Sequence, residues 1–412
     1  MSRRRGILIL AAFVAAAVLS DACRNAVGLV SQTGQTPILV LVSFDGWRWD
    51  YIDRFPTPNL RTLAARGARA ERLIPSFPPL TFPNHYTIVT GLYPAHHGIV
   101  ANTFRDPAMQ KRFTMSGATA KDPAWWRGEP LWVTAINQGR RAAAMFWPGT
   151  EAPIDGVRPT FWRPYDKRVS SAARVDQVVD WLSLPEGERP SLITVYFDEV
   201  DTAGHDFGID SPELASATAR LDAALGQLVA GLARIGVADR TTVVVVSDHG
   251  MTQLSENRVI LLDDDIDVDT VDVLESGGFL AIEPKAGDAA ALEARLRGKH
   301  PALAIYGRDE LPPRLHYRDN PRIAPIIGIP SEGWTVTTRN RLGERHAATH
   351  GFDPRDRSMG ALFVAAGPHI RPGIVLAPFE NVDVYNFLCS VLELRPAKND
   401  GEDQLRRQLL RP

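Results

Sequence analysis

At 412 residues the chain is long for a single core, so one large α/β domain with an insertion, or two domains, is the expectation. Its 44% hydrophobic and 23% charged content is that of an ordinary globular protein, and its two cysteines exclude a disulfide scaffold. A net charge of −2 excludes a broad basic surface for long nucleic acids, while leaving room for a local nucleotide site.

The amino terminus carries Arg3, Arg4 and Arg5 ahead of the apolar run Ile7 to Leu19, which is short for a membrane span and is followed by small residues. It reads as a secretory signal peptide over residues 1–23, against an uncleaved anchor as the competing reading. A periplasmic or secreted bacterial protein with no stable membrane span in its mature form is the expectation. Cys23 is a candidate lipid-attachment site, although Ser20 stands where such sites carry Leu. Cys389 lies in an apolar helical run and reads as a small buried hydrophobe.

Ile38 to Val42 predicts a strand buried on both faces, delivering Asp45 to the carboxyl end where functional groups gather in parallel sheets. Thr57 to Arg66 predicts a helix. Thr81 stands before Phe82-Pro83-Asn84, a run able to open a helix, because proline costs little in a first turn. A hydroxyl there faces free N–H groups and a positive dipole end, so Thr81 is either a helix cap or a nucleophile aimed at a phosphate. The dense aromatics Trp125, Trp126 and Trp132 read as packing. Arg140 to Trp147 and Leu192 to Phe197 predict strands, the second leading into Asp201 and His205. Ser211-Pro212-Glu213 opens a helix with Leu214, Ala217, Leu221, Leu225, Leu228 and Leu232 on one face. Thr241 to Val246 is the clearest strand and delivers Asp248 and His249. From Met251 to Arg345 the alternation loosens into an α+β insertion, with a strand near Gly278 to Ile282 and a helix near Ala289 to Arg297. His350, a strand over Ala361 to Ala365 and a helix over Val382 to Leu392 follow.

Three strand-to-loop junctions thus carry metal-type side chains, and a fourth loop offers His350. Three Asp and three His without thiolates, with Thr81 as a possible bridge, suit two Zn²⁺ sites sharing a substrate oxygen. His85, His96, His97, His300, His316, His346 and His369 lack a comparable acidic partner after a strand and read as structural. Asp353 reads as orienting the loop that carries His350.

The order and wording of these stretches resemble the nucleotide pyrophosphatase/phosphodiesterase family of the alkaline phosphatase superfamily. The matching pieces are VSFDGWRWDY at Val42, TFPNHYTIVTGLYPAHHGIVAN at Thr81, FDEVDTAGH at Phe197, VVSDHGM at Val245, THGFDP at Thr349 and FENVDVYNFLC at Phe379. The resemblance implies an α/β/α sandwich around a mostly parallel sheet, with a core at 37–250 and 346–401 and a small α+β cap at 251–345. It implies two zinc ions, one held by Asp45, Asp248 and His249 with the nucleophile Thr81, the other by Asp201, His205 and His350. Asn102 would then hold a phosphate oxygen, and Phe82 and Tyr165 would grip a nucleotide base. Leu80 departs from the pattern, since relatives often carry Lys before the nucleophile.

The implied activity is hydrolysis of nucleotide phosphodiester or phosphoanhydride bonds, releasing nucleoside 5′-monophosphates through a phospho-threonine. The Thr81 motif contains no Arg to neutralise a third phosphate oxygen, which favours a diesterase over a monoesterase. The competing readings are a choline-type lipid-headgroup phosphodiesterase on the same scaffold and an inactive binding protein.

Overall fold

Apolar, β-branched runs too short for helices build the centre of the molecule. The computed structural model describes residues 36–411, and the expected signal peptide and Cys23 lie outside the described residues. In chain order the main sheet takes β1 (Ile38–Phe44), β2 (Ala68–Ala70), β3 (Ala142–Met145), β4 (Phe161–Arg163), β5 (Leu192–Phe197) and β6 (Thr241–Val246). After the excursion through 251–345 it adds β7 (Phe363–Ala366) and β8 (Ile374–Leu376). The spatial order is β8-β2-β7-β6-β1-β5-β3-β4. From β6 to β4 every pairing is parallel, whereas β7 runs antiparallel to both β6 and β2.

The period of two along β1 divides the core. Leu39 and Leu41 pack on the face covered by Tyr86, Ile88 and Phe387, while Val40 and Val42 meet Leu60, Val178 and Leu221 on the other. Helices therefore cover both faces: α1 (Pro58–Arg66), α2 (Thr81–Thr90), α3 (Ser171–Leu182), α4 (Glu199–Phe207), α5 (Pro212–Arg234) and α6 (Val384–Val391). The α/β/α sandwich with a mostly parallel sheet is as expected. In α5 the Leu214 N–H donates to the Ser211 hydroxyl at 3.1 Å, and Pro212 opens the first turn. The six expected apolar positions of α5 are all buried, each leucine worth about 2 kcal/mol.

Boundaries differ where a run changes role. The expected strand at 140–147 is shorter, because Phe146 takes a positive φ and turns the chain into the site loop. Asn381–Asp383 forms a 3₁₀ turn ahead of α6, which buries Cys389 as expected.

Residues 251–345 carry a four-stranded antiparallel sheet in the order Val271–Glu275, Leu280–Pro284, Ile326–Pro330, Leu303–Gly307, with a helix at Ala289–Leu296. Leu280 and Ile282 face a small core of this sheet, while Phe279 and Ala281 face the main core. Arg322 adds a polar tie. It is 2% exposed, donates to Asp106 at 2.7 Å, and reaches the Gly98 and Trp125 carbonyls at 2.9 and 2.6 Å. Removing one partner of a buried pair strands the other. Arg322→Ala is expected to lose about 3–5 kcal/mol of stability, read as a lower midpoint in urea unfolding.

Candidate metal centre

Because β1 lies between β5 and β6 in parallel register, the carboxyl ends of all three strands meet. Asp45 leaves β1, Asp201 sits in the first turn of α4 after β5, and Asp248 and His249 leave β6. Asp201 and His205 are four residues apart on α4 and so share one face. Gly46 makes the closure possible: its φ is +66°, and a Cβ there would lie 2.8 Å from the Asp201 Cα. Gly278, on the approach to the Leu280–Pro284 strand, likewise leaves room for the His350 carbonyl, which a Cβ would meet at 2.3 Å.

Six side chains gather into two clusters, Asp45–Asp248–His249 and Asp201–His205–His350, with the donor atoms of each within 4.8 Å of one another. Stacking of His249 on His350, with ring centroids 3.6 Å apart, places the clusters side by side. The six residues expected as ligands are therefore brought together. Thr81, the first residue of α2, lines an approximately 400 Å³ cavity with Asp45 and Asp201, and Phe82 and Tyr165 line it too.

Backbone carbonyls set the imidazole tautomers. His205 Nδ1 lies 2.9 Å from the Ala348 oxygen, His249 Nδ1 3.0 Å from that of Gly250, and His350 Nδ1 2.7 Å from that of Pro79. A carbonyl only accepts, so each Nδ1 carries a proton, and in the neutral ring Nε2 is left with a lone pair. The Nε2 atoms of His205 and His350 face each other at 3.1 Å, and lie 3.5 and 3.8 Å from Asp201 Oδ1. In the other cluster His249 Nε2 is 2.9 Å from Asp248 Oδ2 and 3.6 Å from Asp45 Oδ1. About 3.3 Å separates ligand atoms on a tetrahedral zinc with bonds of roughly 2.0–2.1 Å. Asp45 Oδ1, Asp201 Oδ1, Asp248 Oδ2 and His249 Nε2 are buried with no hydrogen-bond partner. Lone pairs converging in this way repel one another until a cation lies between them, so the residues fit a pair of divalent metal ions.

The electrostatics carry the same strain. Burial, then Asp248 and Asp201, push the Asp45 carboxyl well above its ordinary range, although Tyr196 donates to its Oδ2 at 2.5 Å. Burial would also raise Asp248, but His249 and His85 hold it below the carboxylate range. Burial and the neighbouring His249 and His205 drive His350 well below an ordinary imidazole.

Asn102 Oδ1 accepts the Phe82 N–H at 3.0 Å, which orients the amide with its NH₂ group free to donate elsewhere. Pro83 has no N–H, and that of Asn84 goes to the Leu80 carbonyl at 3.1 Å, so the N–H of Thr81 is the one first-turn donor these contacts leave. Tyr165 is 45% exposed and donates to Asp198 at 2.7 Å, while Phe82 is backed by Phe113 and Trp126 at 6.1 Å each.

Two participants were not anticipated. His85 takes an acidic neighbour from across the sheet: its Nδ1 is 2.8 Å from the Thr81 carbonyl and 3.4 Å from Asp248, and its Nε2 accepts from Ser43 at 2.7 Å. The signal was its place four residues after Thr81, one helical turn on. Tyr196, the anchor of Asp45, was hidden inside a strand. Asp353 pairs through both oxygens with Arg314 of the 251–345 segment and accepts the Arg355 N–H of its own loop at 3.0 Å.

The family model for type I phosphodiesterase/nucleotide pyrophosphatase matches residues 39–353. The chain belongs to this family. An uncharacterized pyrophosphatase/phosphodiesterase of Schizosaccharomyces pombe is 39% identical over 380 residues, covering 88% of this chain and 78% of the yeast protein. A venom phosphodiesterase of Macrovipera lebetinus is 36% identical over 93% of this chain, which spans 46% of the venom enzyme's length. Murine ectonucleotide pyrophosphatase/phosphodiesterase 5, solved as an inactive threonine-to-alanine form in complex with AMP, superposes with a TM-score of 0.87. It is 34% identical, and the match covers 91% of this chain and all of the murine one. The alkaline-phosphatase-like fold is thereby established. Among the described residues no helix is long and apolar enough to cross a membrane.

Asp45→Asn removes one of the crowded carboxylates, so in a chelator the variant is expected to melt on the order of 2 °C above the native chain. With zinc added the order should reverse. Scanning calorimetry under both conditions reads the pair, and the same shift in each would refute a cation-binding role for Asp45.

Proposed function

We propose that the protein is a secreted or periplasmic two-zinc phosphodiesterase that hydrolyses small nucleotide diesters or anhydrides and releases nucleoside 5′-monophosphates. The observation that carries the reading is the pair of cation-starved clusters opening beside Thr81 into a cavity with aromatic walls. The AMP bound in the murine relative, and the threonine whose loss inactivates that protein, support it.

Asp45, Asp248 and His249 would hold one zinc together with Thr81, and Asp201, His205 and His350 the other. Zinc at these positions supplies the positive charge that lowers the pKa of the Thr81 hydroxyl and stabilises the leaving oxygen. Oγ of Thr81 attacks phosphorus in line, forming a phospho-threonine ester as the bond to the leaving oxygen breaks. Water then hydrolyses that ester, returning the hydroxyl and freeing the nucleoside monophosphate. The Asn102 amide and the Thr81 N–H donate to the equatorial oxygens where charge develops. The base lies between Phe82 and Tyr165, whose hydroxyl is tied to Asp198.

The nitrophenyl ester of thymidine monophosphate should be cleaved much faster than nitrophenyl phosphate, and the reverse order would sink the diesterase reading. Thr81→Ala is expected to reduce kcat by at least about 10³-fold with metal content retained. Phe82→Ala should raise KM roughly tenfold, the value of one lost stacking contact.

A further inference from the structure

The cleft at the metal centre has two lobes. The first, of about 400 Å³, holds Thr81 and the aromatic walls. The second, of about 290 Å³, is lined by Asn102, His205 and His350, by residues 275–279 and 335–337, and by Arg341, Glu344 and Arg345. Met115 lines both; it is 46% exposed, and its N–H is held by the Asn102 carbonyl at 3.0 Å. Thr81 lines the first lobe and not the second. In-line displacement sends the leaving group away from the nucleophile, and the second lobe holds two members of the second cluster.

The chemistry of the second lobe identifies what it accepts. Arg341 and Arg345 stand at its mouth on an exposed stretch of chain. Arg339, two residues earlier, is paired with Asp264, whereas Arg341 and Arg345 have no carboxylate within ion-pair distance among the described residues. Arg345 donates from Nε to the Leu342 carbonyl at 3.1 Å and from Nη1 to that of Glu256 at 3.5 Å, which leaves its Nη2 group uncommitted. Of the two carboxylates in the lobe, Glu275 accepts the Thr103 N–H at 2.5 Å and is pushed up to about 7 by burial, so it carries only part of a charge at neutral pH. Glu344 is the other. Among the described residues the lobe presents no aromatic cage for a quaternary ammonium: the phenyl ring in its lining, Phe279, is 2% exposed.

We propose that the second lobe is a leaving-group subsite in which Arg341 and Arg345 select leaving groups that carry phosphate, such as pyrophosphate or a nucleoside phosphate. This rests on the phosphodiesterase reading above. Arg341 presents a planar fork to phosphate oxygens and Arg345 adds its charge and its remaining N–H groups, whereas a neutral aryl leaving group gains nothing from either.

The test compares kcat/KM for ATP with kcat/KM for the nitrophenyl ester of thymidine monophosphate, in the native chain and in an Arg341→Ala, Arg345→Ala variant. Both side chains are on the surface, so the variant is expected to fold. The ATP-to-aryl ratio is expected to fall about tenfold, and added salt should depress the ATP rate less in the variant than in the native chain. The Arg341→Lys, Arg345→Lys variant should recover part of the ratio through charge alone. An unchanged ratio, or an equal fall on both substrates, overturns the subsite while leaving the diesterase reading intact. A native chain that cleaves neither substrate overturns both, and a preference for nitrophenyl phosphocholine over ATP overturns the anionic selection.

Discussion

Lone pairs held together against their mutual repulsion are the constraint on which the rest of the structure depends. Two imidazole nitrogens face each other at 3.1 Å, and a carboxylate oxygen faces a third at 2.9 Å. The fold supplies the force that keeps them there: three parallel strands buried on both faces, a helix that fixes Asp201 against Gly46, and carbonyls that hold each ring by its other nitrogen. Core burial of this kind is worth many kcal/mol, ample to offset a local cluster that favours dispersal.

Much of this was legible in the sequence for a physical reason. Strands buried on both faces read as unbroken β-branched runs, and LITVYF and TTVVVV needed no adjustment at either end. Residues that closely follow such strands fall at one edge of a parallel sheet, so Asp45, Asp201, Asp248 and His249 could be grouped from the sequence alone. What stayed hidden depends on contacts between distant segments. His85 looked like a helix residue without a partner until Asp248 arrived from β6. Tyr196 looked like a core aromatic until its hydroxyl met Asp45. The Asp353–Arg314 pair joins two segments whose pairing no local pattern announces.

The segment at 251–345 is more than a cover. One side of its sheet packs into the main core, Arg322 reaches down to the loops that follow α2, and Gly278 lets the backbone close on His350. Its exposed turn at 339–345 also forms part of the cleft wall.

The pairing of β1 with both β5 and β6 carries a consequence for how the molecule comes into being. Phe44 lies beside Phe197 and Ser43 beside Val246, so the first strand finds neither neighbour until much of the chain has been made. Contacts this distant in sequence are slow to form, because loop closure is paid before any pairing rewards it. The two clusters draw on residues from Asp45 to His350, so no shorter stretch of chain brings them together. Ion binding therefore acts on the last equilibrium, drawing the chain toward completion by mass action and not guiding its early collapse.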